Sequence, residues 1–177
     1  MKKIFFLTAL FLQVLVAGAQ PTMGLMLNSP DATEGYTLFA PMSSHTTYLI
    51  DNCGHEVHNW MSNYSPGLSV YFLNDGTLLR TGNAINNYFP AGGEGGIIEQ
   101  YDWSNNLTWS FLYSDSMHCQ HHDIHQMPNG HVLAIAWERK SHAVAVSAGR
   151  NPLYLAPGMW TEEIIEIDPQ DRKSTRL

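Results

Sequence analysis

Charge is scarce in this 177-residue chain. Charged residues make up 14% of it, with nine Lys and Arg in all. That excludes a disordered, highly charged chain, and it excludes a nucleic-acid binder built on a basic surface. Cysteine is scarcer still: Cys53 and Cys119 are the only two, with no CxxC and no zinc-ribbon spacing. Beyond the first 19 residues no apolar run is long enough to span a bilayer as a helix. The glycines of residues 91–96 have neither a βαβ setting nor a Walker lysine, which disfavours a phosphate cradle. No G-x-S-x-G elbow surrounds Ser114-Asp115-Ser116, which disfavours a serine hydrolase. What the chain does have is 44% hydrophobic residues, 11% aromatics, 14 Gly and 9 Pro. Together these point to a turn-rich, all-β protein.

Both ends stand apart from the rest. Residues 1–19 read as a signal peptide: Lys2 and Lys3, an apolar run from Ile4 to Val16, then the cleavage site Ala17-Gly18-Ala19. The expectation is an exported protein, periplasmic or secreted, with no membrane span after signal cleavage. A disulfide between Cys53 and Cys119 is permitted in such a compartment, and two free thiols are equally compatible with the sequence. At the other end, Asp171-Arg172-Lys173-Ser174-Thr175-Arg176-Leu177 matches in order the translation of a sequencing adapter, GAT CGG AAG AGC ACA CGT CTG. Residues 171–177 are therefore expected not to be natural sequence, with the gene cut near Gln170. Without Lys2, Lys3, Arg172, Lys173, Arg176 and Asp171, four cations face 15 anions, a net charge of −11 over residues 20–170. Polyanions are repelled by such a domain, so no nucleic-acid partner is expected. Three of the four remaining cations, Arg139, Lys140 and Arg150, lie in one 12-residue stretch, and Arg80 stands alone.

Between the ends the chain repeats itself. Tyr48–Asp51 leads through a turn to a strand ending at Trp60, and Ile98–Asp102 does the same to Trp109. Ile164–Asp168 begins a third copy. Interleaved with these are two hairpins, Val70–Leu73 with its Asn74-Asp75-Gly76 turn and Ile124–Met127 with its Pro128-Asn129-Gly130 turn, 54 residues apart from Gly76 to Gly130. Each period holds about four short strands, and Trp60 and Trp109 sit at equivalent core positions. Four strands repeating at roughly 50 residues predict β-propeller blades, two to three of them here. A β-sandwich built from the same hairpins is the competing architecture. Ser141–Ala148 predicts a short helical turn inside the longest insertion.

The densest chemistry is His118-Cys119-Gln120-His121-His122-Asp123-Ile124-His125, where four of the nine histidines fall within eight residues. Strand alternation would put His121, Asp123 and His125 on one side and His122 with Ile124 on the other. One reading is a metal half-site; another is Asp123 fixing the tautomer of a catalytic imidazole. A third is structural, with histidines bonding between blades. His55 and His58 do not form a zincin HExxH and read as exposed strand residues. Arg150, following Gly149, is the candidate anion-binding residue.

His121-His122-Asp123-Ile124-His125-Gln126-Met127-Pro128-Asn129-Gly130 resembles the HHDI…PNGN segment of bacterial arylsulfate sulfotransferases. Ile97–Trp103, Asn106–Phe111, Leu49–Asp51 with Trp60, and Gly149–Pro152 before the Ile164–Asp168 strand are also similar to that family. The likeness covers most of Gly24–Gln170. It implies a six-bladed propeller in which this chain supplies residues 20–170 as an N-terminal part. It implies transfer of a sulfuryl group from an aryl sulfate donor to a phenolic acceptor through a sulfated histidine, without the nucleotide donor PAPS, a metal or another cofactor. The sulfated histidine belongs to a later blade, so His122 first, and His121 second, are expected to support the transferring group. Asp123 is expected to orient an imidazole and Arg150 to bind substrate. His125 and His131 stand where the family has Asp and Asn. This part alone is expected to be inactive. The alternative function is a noncatalytic exported propeller that binds a ligand or another protein.

Overall fold

The computed structural model describes residues 24–177, apart from Pro90, Ala156, Pro157 and Arg172. The signal segment 1–19 lies outside the described residues. Three antiparallel sheets follow one another along the chain, each a meander of consecutive strands, and none is closed. Sheet 1 holds β1 (Tyr36–Phe39), β2 (Thr46–Asp51) and β3 (Glu56–Met61). Sheet 2 holds β4 (Pro66–Phe72), β5 (Leu78–Asn83), β6 (Gly96–Tyr101) and β7 (Leu107–Leu112). Sheet 3 holds β8 (His118–Gln126), β9 (Val132–Ser141), β10 (Gly158–Asp168) and β11 (Lys173–Arg176). The protein is therefore all-β. Its single α-helix among the described residues, α1 (His142–Ser147), is capped by the Ser141 side chain accepting from the Val144 N–H. No described helix is long and apolar enough to cross a membrane.

The repeated turns work through aspartate. Asp51 Oδ1 accepts the Cys53 and His55 backbone N–H groups, Asp102 Oδ1 accepts that of Asn106, and Asp168 Oδ1 accepts that of Gln170, each at 2.8 Å. A side chain that bonds its own backbone a few residues on closes a turn without help from elsewhere. These local bonds explain why the strand–turn–strand units were visible in the residues.

Sheet 2 lies between the other two, and the alternation of β5 shows it. Leu78 joins Tyr101 against Leu49 and Trp60 of sheet 1. Its neighbour Leu79 joins Ile98 and Trp109 against Ile124, Val132, Ala134, Ala136, Ile165 and Ile167 of sheet 3. Successive side chains of one strand thus serve two different cores. Trp60 and Trp109 both lie in these inter-sheet cores, as their equivalent positions predict, and Trp60 Nε1 also donates to the Asp102 carbonyl at 2.9 Å. The first strands of sheets 2 and 3, β4 and β8, lie against each other.

Arg80 is not a surface cation. It is 1% exposed in the core between sheets 1 and 2, with Nη2 donating to the Tyr64 carbonyl at 3.1 Å and Nη1 lying 3.7 Å from Glu99. Glu99 in turn accepts the Ser62 hydroxyl at 2.7 Å and the Tyr101 phenol at 2.9 Å. Burial pulls the Arg80 guanidinium below its ordinary range, against the pull of Glu99.

Lys173–Arg176, within the segment expected not to be natural, form the outer edge of sheet 3. Lys173–Arg176 pair with Ile165–Asp168, and Arg176 forms ion pairs with Glu138 and Glu163. Strand pairing uses backbone groups, which every sequence carries.

Removing one member of the buried pair strands the other. Glu99→Ala is expected to cost about 3–5 kcal/mol in urea unfolding. The double variant Arg80→Met with Glu99→Gln should lose clearly less, because no uncompensated charge stays behind.

Candidate functional site

The HHD residues are the bulge of β8. Gln120 pairs with Ala136 and Ile124 pairs with Ala134, so His121, His122 and Asp123 together face the single residue Ile135. Two extra residues cannot fit a regular ladder, so the strand kinks and the pleat is lost. His122 takes the strain, with φ at 51°, in the left-handed region that non-glycine residues rarely enter. The alternation expected along this strand is accordingly wrong. His121 is buried at 3% exposure, His122, Asp123 and His125 are exposed, and Ile124 alone returns to the core.

The glycine-rich loop holds the bulge in place. His122 N–H donates to the Gly93 carbonyl at 3.0 Å and Gly95 N–H to the Gln120 carbonyl at 3.1 Å. Gln120 Oε1 accepts from Gly96 N–H at 3.0 Å. Gly93 sits at φ +82°, and a Cβ there would lie 1.9 Å from the His122 ring. At Gly95 a Cβ would lie 2.2 Å from Gln120 Oε1. The glycines are there to let backbone lie against side chain, not to cradle a phosphate.

His121 is fixed by stacking. Its ring lies on Trp137 of β9 (centroids 4.0 Å apart, 21° between planes), and the buried Phe89 covers the indole (3.9 Å) while meeting Trp160 edge-on at 5.2 Å. Its Nδ1 is 2.9 Å from His122 Nδ1, so one imidazole donates to the other. Its Nε2 is buried without a partner. Burial, and next the neighbouring His122, hold the His121 pKa below the usual imidazole value, against an opposing pull from Glu162. His121 is thus a buried, stacked imidazole whose charged form is disfavoured, lying behind an exposed His122.

Asp123 is bonded to no imidazole among the described residues. Its Oδ1 accepts the Tyr71 hydroxyl of β4 at 2.6 Å and the Ile124 N–H at 2.8 Å. That bond, then burial, pushes the Tyr71 phenol up to about 12. The pair ties the first strands of sheets 2 and 3 together at the bulge. Beside it, Asp123, Ile124, His125, Leu133, Ile135 and Ile164 line an open, mostly apolar cleft of about 250 Å³. The proposed half-site of His121, Asp123 and His125 is therefore not assembled, since the three side chains have different surroundings.

Other sequence candidates lie elsewhere. Arg150 is exposed after α1, its backbone N–H bonded to the Ala145 carbonyl, and nothing among the described residues ties its guanidinium to the histidines. His131 pairs with Glu166 at 2.6 Å, and His118 with Asp115 at 3.2 Å. His58 is half-buried, stacked on Trp103 at 4.1 Å, which corrects its expected exposure. Cys119 is buried and Cys53 exposed, and both are free thiols. Burial pushes the Cys119 thiol up to about 11.

Asn86 was missed by sequence reasoning. It is buried, and its Nδ2 donates to the Asp115 and His118 carbonyls at 2.8 and 3.2 Å. Its Oδ1 accepts from Tyr88 and Phe89, which sets Phe89 over Trp137, and its N–H donates to Glu94. Nothing in a polar loop distinguishes such an asparagine from its neighbours.

No family model matches the chain, and no curated protein matches it.

Gly93→Ala forces the His122 ring aside and puts a side chain at positive φ, costing about 1–2 kcal/mol in denaturant unfolding. NMR should show the His122 ring shifts moving more than those of His131. Raised pKa values stabilise below the unfolded value and are lost above the folded one. The Tyr71–Asp123 bond therefore contributes at neutral pH and fades as pH climbs from the ordinary phenol value of 10.0 through about 12. In Asp123→Ala the Tyr71 ring should titrate below about 12 by NMR, shifted toward 10.0 and held above it by the burial that remains.

Proposed function

We propose that the three sheets are consecutive blades of a β-propeller in an arylsulfate sulfotransferase-like enzyme, and that His122 supports sulfuryl transfer. The carrying observation is the bulge: an exposed imidazole at φ 51° on the first strand of a blade, backed by a buried histidine at 2.9 Å. A strained, over-determined side chain on a bulge is where function is commonly found. Support for the propeller comes from the sequential four-stranded meanders, the two inter-sheet cores, and the contact of β4 with β8.

In the proposed reaction a histidine nitrogen attacks the sulfur of an aryl sulfate, the S–O bond breaks and the aryl oxide leaves. A phenol oxygen then attacks the sulfur, the N–S bond breaks and the phenolic proton passes to solvent or a base. Negative charge spreads over the sulfuryl oxygens throughout, and hydrogen-bond donors placed around them stabilise it as it develops. His121 occupies Nδ1 of His122, so His122 meets substrate through Nε2. Positioning thus falls to His121, while Asp123 anchors the bulge through Tyr71. The apolar cleft beside Asp123 suits the aryl ring of donor or acceptor.

The full-length protein, given 4-nitrophenyl sulfate and phenol, should release nitrophenolate. His122→Ala should lower kcat/KM by about 10²–10³-fold with the melting curve unchanged. Aryl sulfate binding without any nitrophenolate would replace this reading with the binding-module one. Neither binding nor turnover would remove both.

A further inference from the structure

A second site lies at the turn between β2 and β3, far along the chain from the histidine bulge. Asp51, Cys53 and His55 each offer one ligand atom there, and the three atoms lie within 4.8 Å of one another. The turn is built before any ion arrives. Asp51 Oδ1 accepts the N–H groups of Cys53 and His55 at 2.8 Å each, Asp51 N–H donates to the His55 carbonyl at 3.0 Å, and Gly54 takes φ +76°. Asn52 Nδ2 ties the turn to the Thr33 carbonyl at 2.8 Å. Those bonds use Oδ1, and Oδ2 takes one further bond, from His55 Nδ1 at 3.2 Å.

That separation is informative. Two ligands of a tetrahedral zinc ion, at about 2.0–2.2 Å for N and O and about 2.3 Å for S, stand about 3.2–3.7 Å apart. The carboxylate and imidazole already have it. Asn28 Nδ2 lies 3.7 Å from Cys53 Sγ, where it can donate to a thiolate. The fold does not ask for these residue types. In sheet 2 the matching turn is built with Ser104 and Asn106, and Asn106 Nδ2 fills the place of His55 by donating to Asp102 Oδ2 at 2.8 Å. The thiol in that frame is surplus to the turn, while the imidazole takes the place of the Asn106 amide and holds Asp51 Oδ2 until an ion displaces that bond. The acidic background favours a cation as well, at −11 over residues 20–170.

We propose that Asp51 Oδ2, Cys53 Sγ and His55 Nδ1 bind Zn²⁺, with the fourth position open to water. Binding forms S–Zn, N–Zn and O–Zn bonds, breaks the His55 Nδ1 to Asp51 Oδ2 hydrogen bond, leaves the imidazole proton on Nε2 and releases the Cys53 thiol proton to solvent; nothing is oxidised or reduced. Thiolate, imidazole and carboxylate together select zinc over magnesium or calcium.

The test is titration of the chelator-treated chain with Zn²⁺, and with Co²⁺ as an optical probe. One equivalent should bind, and Co²⁺ should give a thiolate charge-transfer band. Cys53→Ser should abolish the band, and Cys53→Ser and His55→Ala should each weaken binding by more than about tenfold. The double variant keeps every other histidine, so equal affinity in it and in the unaltered chain would mean an adventitious ion only and overturn the proposal. A second readout needs no variant: Zn²⁺ should slow alkylation of the exposed Cys53, and unchanged alkylation would overturn the proposal as well. None of these outcomes depends on sulfuryl transfer.

Discussion

Burial of the middle sheet on both faces is the constraint on which the rest of the structure depends. A β-sheet has two sides, and the inner strands of sheet 2, β5 and β6, have water on neither, while β4 and β7 keep exposed side chains. Leu78 and Tyr101 pack toward sheet 1, while Leu79, Ile98 and Trp109 pack toward sheet 3. A polar group placed there needs a partner inside. Glu99 finds it in Ser62 and Tyr101, and Arg80 in the Tyr64 carbonyl and the neighbouring Glu99 charge, with its Nε and Nη1 left without a hydrogen bond. The same stacking brings β4 against β8 and so presses Tyr71 onto Asp123.

The histidine site is a consequence of that arrangement together with a local defect. Packing fixes β8 at Ile124 and at Cys119, both buried. Three residues must cross the space of one between the paired ends, and they can do so only by leaving the ladder. Glycine-rich backbone fills the gap the bulge opens, so His122 rests on Gly93 while His121 turns inward onto Trp137. Adjacent histidines with the same chemistry end in opposite environments. One is buried, which disfavours its charged form, the other faces solvent, and a hydrogen bond joins the two.

The turn at Asp51 shows a different economy. The aspartate that closes it recurs at Asp102 and Asp168, and in each case its carboxylate accepts backbone N–H groups. What varies is the pair of side chains mounted on the frame: Cys53 and His55 in one copy, Ser104 and Asn106 in the next. A repeat thus supplies a rigid local scaffold, and substitution at its exposed positions supplies chemistry without altering the sheet.

Much of this was determined by the residues alone. Aspartate turns, Asn-Gly and Asp-Gly hairpins, Ser141 capping α1, and the core roles of Trp60 and Trp109 are local or periodic, and local bonds and periodic burial are written along the chain. Tertiary structure decided the rest. Arg80 reads only as a cation apart from the other three until the fold buries it, and His58 as an exposed strand residue until Trp103 stacks on it. Alternation put His121 beside Asp123, whereas a two-residue excess in the pairing of β8 with β9 separated them. That excess belongs to neither strand by itself. It exists only as a mismatch between two segments brought together by packing, as does the lone Asn86 that positions Phe89 over Trp137.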